Sequence, residues 1–150
     1  MLIIAGCASS IIAYEPSKRL NIKDASDTVE ELIMTQHPNW KPDYVETNPN
    51  YISWGYGIIS KGQGSTVAYN NIAFGSSTTR TRDVGERIYF KSIKDVQLIS
   101  WQRKFKEWYV VSIIGKDDDI KKHVLYTRDI NEAKRFIDAF NSLMVAYKNK

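Results

Sequence analysis

Between Asp129 and Lys150 the apolar residues Ala133, Phe136, Ile137, Phe140, Leu143, Met144 and Tyr147 recur every three or four positions, which places them on one face of a helix starting at Ile130. The opposite face reads Asn131, Lys134, Arg135, Asp138, Asn141 and Lys148. Asp129 is placed to accept from the first-turn amides while Glu132 reaches back, and Lys148 and Lys150 suit the negative end of the dipole. A helix with so broad an aromatic stripe has to bury it. The segments ahead of it are short, β-branched and aromatic, so its partner is expected to be a sheet.

Those segments carry strand signals. Tyr44–Thr47 is a short extended piece, and Ile52, Trp54, Tyr56 and Ile58 alternate with Ser53, Gly55 and Gly57 in period two. Lys61–Ser65 reads as a turn, Thr66–Phe74 as a strand and Gly75–Gly85 as a polar loop. Strands then follow at Arg87–Lys91, Val96–Gln102, Trp108–Ile114 and Lys121–Thr127, the middle pair closed by a hairpin over Arg103–Glu107 and the last pair by Lys116–Asp119. Ahead of the sheet, a first helix is expected at residues 25–36, with Asp24 or Ser26 as its cap and Val29, Leu32 and Ile33 as its apolar face. It stops before His37-Pro38. One domain over residues 24–150 is the simplest division, since a chain near this length can bury roughly 70% of its unfolded surface without metal or disulfide.

Antiparallel strands followed by one amphipathic helix make residues 44–147 resemble a pleckstrin-homology-like domain. The resemblance implies an α+β fold: an antiparallel, partly open β-barrel capped by the C-terminal helix, with the N-terminal helix added. Family members that bind phosphoinositides do so with basic residues around the turn joining the first two strands. Here that turn holds Lys61 with Gln63 and Ser65, too little charge for a phosphorylated headgroup, so the resemblance implies an interaction or assembly module instead.

The net charge of +4 is spread along the chain, which gives no reason to expect nucleic acid. The single cysteine is more telling. Cys7 follows Ile4-Ala5-Gly6 at the end of an apolar run, which resembles the bacterial lipobox. That resemblance implies diacylglyceryl transfer to the Cys7 thiol and cleavage before it, so that Cys7 becomes the first mature residue. Only six residues precede it, none basic, and residues 1–6 therefore read as the remnant of a longer signal peptide. Residues 7–23 read as a lipidated tether broken at Pro16-Ser17. Ala8 after the cysteine, where retention in the inner membrane would favour aspartate, implies a bacterial envelope protein on the outer membrane, facing the periplasm.

No catalytic set, cofactor fingerprint or metal-ligand spacing stands out. His37 precedes a proline, His123 begins a strand, and neither lies at ligand spacing with a cysteine or carboxylate. Asp117–Asp119 reads as a solvated turn, since three adjacent carboxylates cannot all point inward on a calcium ion. Trp54, Tyr56, Trp108 and Phe140 read as core. The candidate binding surface is the hairpin: Trp101, Arg103, Lys104, Phe105 and Lys106 bring three cations and a projecting ring together. The expected function is thus a non-enzymatic envelope lipoprotein, held to the membrane through lipid on Cys7, whose small β-barrel meets an envelope protein or polymer. The alternative is a domain that binds a small ligand or an anionic headgroup. An enzyme would require His37 or His123 to meet a carboxylate in a pocket.

Overall fold

The computed structural model describes residues 8–56 and 84–148. The fold is α+β, and the described residues form two antiparallel sheets and two helices. Strands β1 (Ser9–Ile12), β5 (Ile93–Arg103), β6 (Lys106–Gly115) and β7 (Ile120–Thr127) form one sheet in the order β1-β5-β6-β7; β2 (Tyr44–Thr47), β3 (Tyr51–Tyr56) and β4 (Val84–Tyr89) form the other. Helix α1 spans Ile22–Thr35 and α2 spans Ile130–Tyr147. Cys7, the turn at Lys61–Ser65 and the strand expected at Thr66–Phe74 lie outside the described residues.

Helix α2 buries the stripe read from its sequence. Ala133, Phe136, Ile137, Phe140 and Leu143 share one core with Leu98, Val111, Ile113 and Leu125 of the four-stranded sheet and with Ile52 and Trp54 of the three-stranded one. Its start is capped by Asp129, whose carboxylate accepts the Asn131 amide at 2.8 Å. Glu132 does not turn back onto the cap; it accepts the Thr127 hydroxyl at 2.6 Å and so ties the helix to the end of β7. A 3-10 turn over Phe90–Ser92 carries the chain from one sheet to the other, with Phe90 packed against Phe140 and Tyr147.

Helix α1 starts three residues before the expected boundary, because Asn21 caps it. The Asn21 side chain accepts the Asp24 amide at 2.8 Å and donates to the Asp24 carboxylate at 2.7 Å. Its position is set by two polar bolts. Glu30 accepts both the amide and the hydroxyl of Thr47 in β2, and Gln36 donates to the Val124 carbonyl and accepts the Tyr126 amide on β7, an edge strand among the described residues. One helix therefore joins an edge of each sheet.

The largest departure from the sequence reading concerns residues 9–20. In place of a tether, β1 pairs with β5, and the stretch after it straps onto α2. Asp138, assigned by periodicity to the solvent face, is only 5% exposed and accepts from the Tyr14 hydroxyl at 3.0 Å and the Ser17 amide at 2.9 Å. Ser142, one turn on, accepts the Leu20 amide at 3.0 Å. A polar pair on the helix makes it a docking rail for the strap.

Candidate functional site: the outer face of the four-stranded sheet

Strand alternation gives the four-stranded sheet a second face, turned away from α2. Val111 and Ile113 of β6 point into the core, so Trp108, Val110 and Ser112 point out, opposite Trp101, Ile99 and Gln97 of β5. Strand β7 would break this pattern, since a strict alternation that sends Tyr126 outward would send His123 inward. A register shift between Val111 and Ser112 resolves it: Leu125 pairs with Val111 and His123 with Ser112, while Val124 joins Leu125 in the core. The bulge delivers His123 to the outer face, where its Nδ1 lies 2.6 Å from the Ser112 hydroxyl.

Above this face the loop after α1 folds back. Its turn is closed by the amides of Trp40 and Lys41 donating to the His37 carbonyl. Trp40 thereby lies flat on Tyr126, with ring centroids 4.4 Å apart and planes inclined by 12°. Trp108 meets Trp40 edge-on at 4.8 Å, and Trp101 closes the group at 6.4 Å. Cations rim it. The Arg103 guanidinium carbon lies 5.8 Å from the Trp40 ring centre and 5.4 Å from that of Trp101, and that of Arg128 lies 5.9 Å from Trp108.

Beside the cluster runs a groove of about 410 Å³ lined by Ser9, Ile99, Trp101, Val110, Ile120, His123 and Tyr126. A smaller recess of about 200 Å³ shares His123 and Tyr126 with it and adds Asn39, Trp40, Tyr56 and Lys122. Exposed apolar area lies in and beside the groove: Ile120 in its lining is 50% exposed, and Ile11 of β1 is 68% exposed. Burial, with Tyr56 nearby, raises the Tyr126 phenol above its ordinary value against the opposing pull of Lys122 and Arg103, so it stays a hydroxyl able to donate. Partial burial, with Lys122 beside it, holds the His123 imidazole below its ordinary value, so its neutral form predominates at neutral pH.

No family model matches the chain, and no curated protein or solved structure matches it significantly. The site therefore stands on its own chemistry.

That chemistry is recognition by stacking, apolar contact and a few polar groups. The Ser112 hydroxyl beside His123 is fully buried, so no substrate can reach it as a nucleophile. Among the described residues, no carboxylate hydrogen-bonds to His123 or His37; the latter's Nδ1 accepts the Asn39 amide. The acidic turn is spoken for by lysines: Asp117 pairs with Lys121 at 2.7 Å and Asp118 with Lys94. No group of three metal-ligating side chains occurs among the described residues.

The residues singled out from sequence fall into two groups. Trp101 and Arg103 belong to the aromatic cluster. Lys104, Phe105 and Lys106 form the exposed tip of the hairpin beyond it. Trp54 and Phe140 are core as expected; Tyr56 is 40% exposed at the recess and Trp108 is half-buried on the outer face, both corrections to a core assignment. Trp40 and Tyr126 were missed as site residues. Their only signal was a tryptophan wedged between two prolines and a tyrosine near the end of the last strand.

Proposed function

We propose that this protein is a non-enzymatic, lipid-anchored envelope protein whose small β domain, a partly open barrel of the pleckstrin-homology-like kind, works as an interaction or assembly module. Its contact surface is the outer face of the four-stranded sheet. One observation carries the reading: four large rings, Trp40, Trp101, Trp108 and Tyr126, gather at the surface beside an apolar groove, with two guanidinium groups at their rim. Aromatic and arginine side chains gathered in this way are the residues that dominate binding energy at interfaces. Acylation at Cys7, outer-membrane residence and a periplasmic envelope protein or polymer as partner belong to the same proposal.

A photo-crosslinking residue in place of Ile99, inside the groove, tests it. A discrete envelope adduct, lost when Trp101→Ala and Tyr126→Ala are combined, is the expected result; an adduct that persists in that double variant overturns the groove as contact surface. Cys7→Ser should move the protein out of the membrane fraction. The second reading, a small ligand or anionic headgroup in the same groove, draws on the groove's size and on Arg103. It gains ground if a lipid or small metabolite co-purifies and is released by the same double variant.

A further inference from the structure

The chain enters the fold at a particular place. Ala8, the first described residue, accepts the Gln102 amide at 3.0 Å, and Ser9 pairs with Trp101, so β1 begins at the end of the sheet where β5 turns into β6. Cys7 is one peptide bond from Ala8. No spacer separates the proposed acylation site from the folded domain.

The hairpin tip at that end is built at a conformational cost. Arg103 pairs with Lys106, leaving a two-residue turn in which Lys104 and Phe105 have φ of 49° and 64°. Positive φ at both central positions is what a tight hairpin needs, and Asn-Gly supplies it most cheaply. Lysine and phenylalanine are poor choices for folding. Phe105 is also fully exposed, at 102%, and among the described residues no carboxylate forms an ion pair with Lys104 or Lys106. The opposite end of the sheet carries Asp117, Asp118 and Asp119.

We propose that this tip docks on an anionic membrane surface, with Phe105 at the boundary of headgroup and acyl chain and Arg103, Lys104 and Lys106 among the phosphates. The inference rests on the lipid-anchor reading of Cys7 and adds to it an orientation. A ring wedged among cations that reach outward on long stems is suited to that boundary, and a lipid chain combined with a basic patch is a two-signal anchor. The acidic turn then faces away from the bilayer, and the groove opens immediately above it.

The test uses the full lipidated chain in phosphatidylcholine vesicles with or without phosphatidylglycerol. With the Cys7 thiol occupied by lipid, Lys106→Cys supplies the one free thiol for a polarity-sensitive fluorophore, and Asp119→Cys supplies the far-end control. Blue-shifted emission at position 106 but not at 119, stronger with phosphatidylglycerol and weakened by salt, is expected. Adding Lys104→Asn with Phe105→Gly, which suits the turn and leaves the melting temperature no lower, should abolish the shift. Equal emission at 106 and 119, a shift that survives the turn substitution, or a shift seen only after an envelope protein is added overturns the proposal. Mass spectrometry of the N-terminal peptide decides the lipid separately. If Cys7 is bare, flotation of the full Cys7→Ser chain replaces the fluorescence arm: retention on phosphatidylglycerol vesicles, lost in the turn variant, upholds the tip, and retention on neither vesicle overturns it.

Discussion

His123 is a residue whose environment should be felt in solution through a single proton, and the sign follows from its geometry. Its ring is partly desolvated by burial and lies next to Lys122, so the folded state disfavours the imidazolium. In the unfolded chain the group titrates at its ordinary value near 6.5. The unfolded state therefore takes up the proton first as pH falls. This contribution is complete above about pH 6.5, declines below it, and stops changing once the folded imidazole is also protonated. Thermal melts of the native chain and of His123→Gln between pH 7.5 and pH 5 should converge as the pH drops; parallel curves over that range would mean that His123 is not the group responsible.

At the scale of elements, helix α1 acts as a clamp, and Gln36 is its jaw on the four-stranded sheet. Because the Gln36 side chain both donates to Val124 and accepts from Tyr126, it holds the loop that lays Trp40 on Tyr126. Gln36→Ala should cost about 1–3 kcal/mol for the three lost hydrogen bonds, to Ile33, Val124 and Tyr126, and should also alter the near-ultraviolet circular dichroism of the tryptophans. A stability loss with an unchanged aromatic spectrum would show that the loop holds its place without the clamp. How much was legible in the sequence depends on how local each signal was. Helix α2 could be read residue by residue because its stripe repeats within the helix itself. The inward role of Asp138 could not, because its partners Tyr14 and Ser17 stand 124 and 121 positions away. Similarly, Trp101 and Arg103 were visible as a local run of rings and charge, whereas the stack of Trp40 on Tyr126 depends on where α1 ends in space, and the outward turn of His123 depends on a bulge that alternation cannot reveal.

For the whole molecule, the strap and β1 count as part of the domain. A chain beginning at Asn21, which keeps the α1 cap, would lose the three hydrogen bonds that Asp138 and Ser142 accept and would bare the edge of β5 from Leu98 to Trp101. At about 1 kcal/mol per bond the loss is ~3 kcal/mol, a fall in melting temperature on the order of 10 °C, with aggregation following from the open edge. A truncated chain that melts with the full one would return residues 8–20 to the status of a spacer. The same edge strand sets an order of events in time. An enzyme acting on Cys7 must grip several extended residues around it, yet Ala8 and Ser9 are sealed into the sheet once β1 has docked. If Cys7 is acylated and cleaved, that maturation has to precede closure of the last edge, so a chain that folds completely before it reaches the enzyme becomes a dead end, and the rate at which β1 docks is a clock that secretion has to beat.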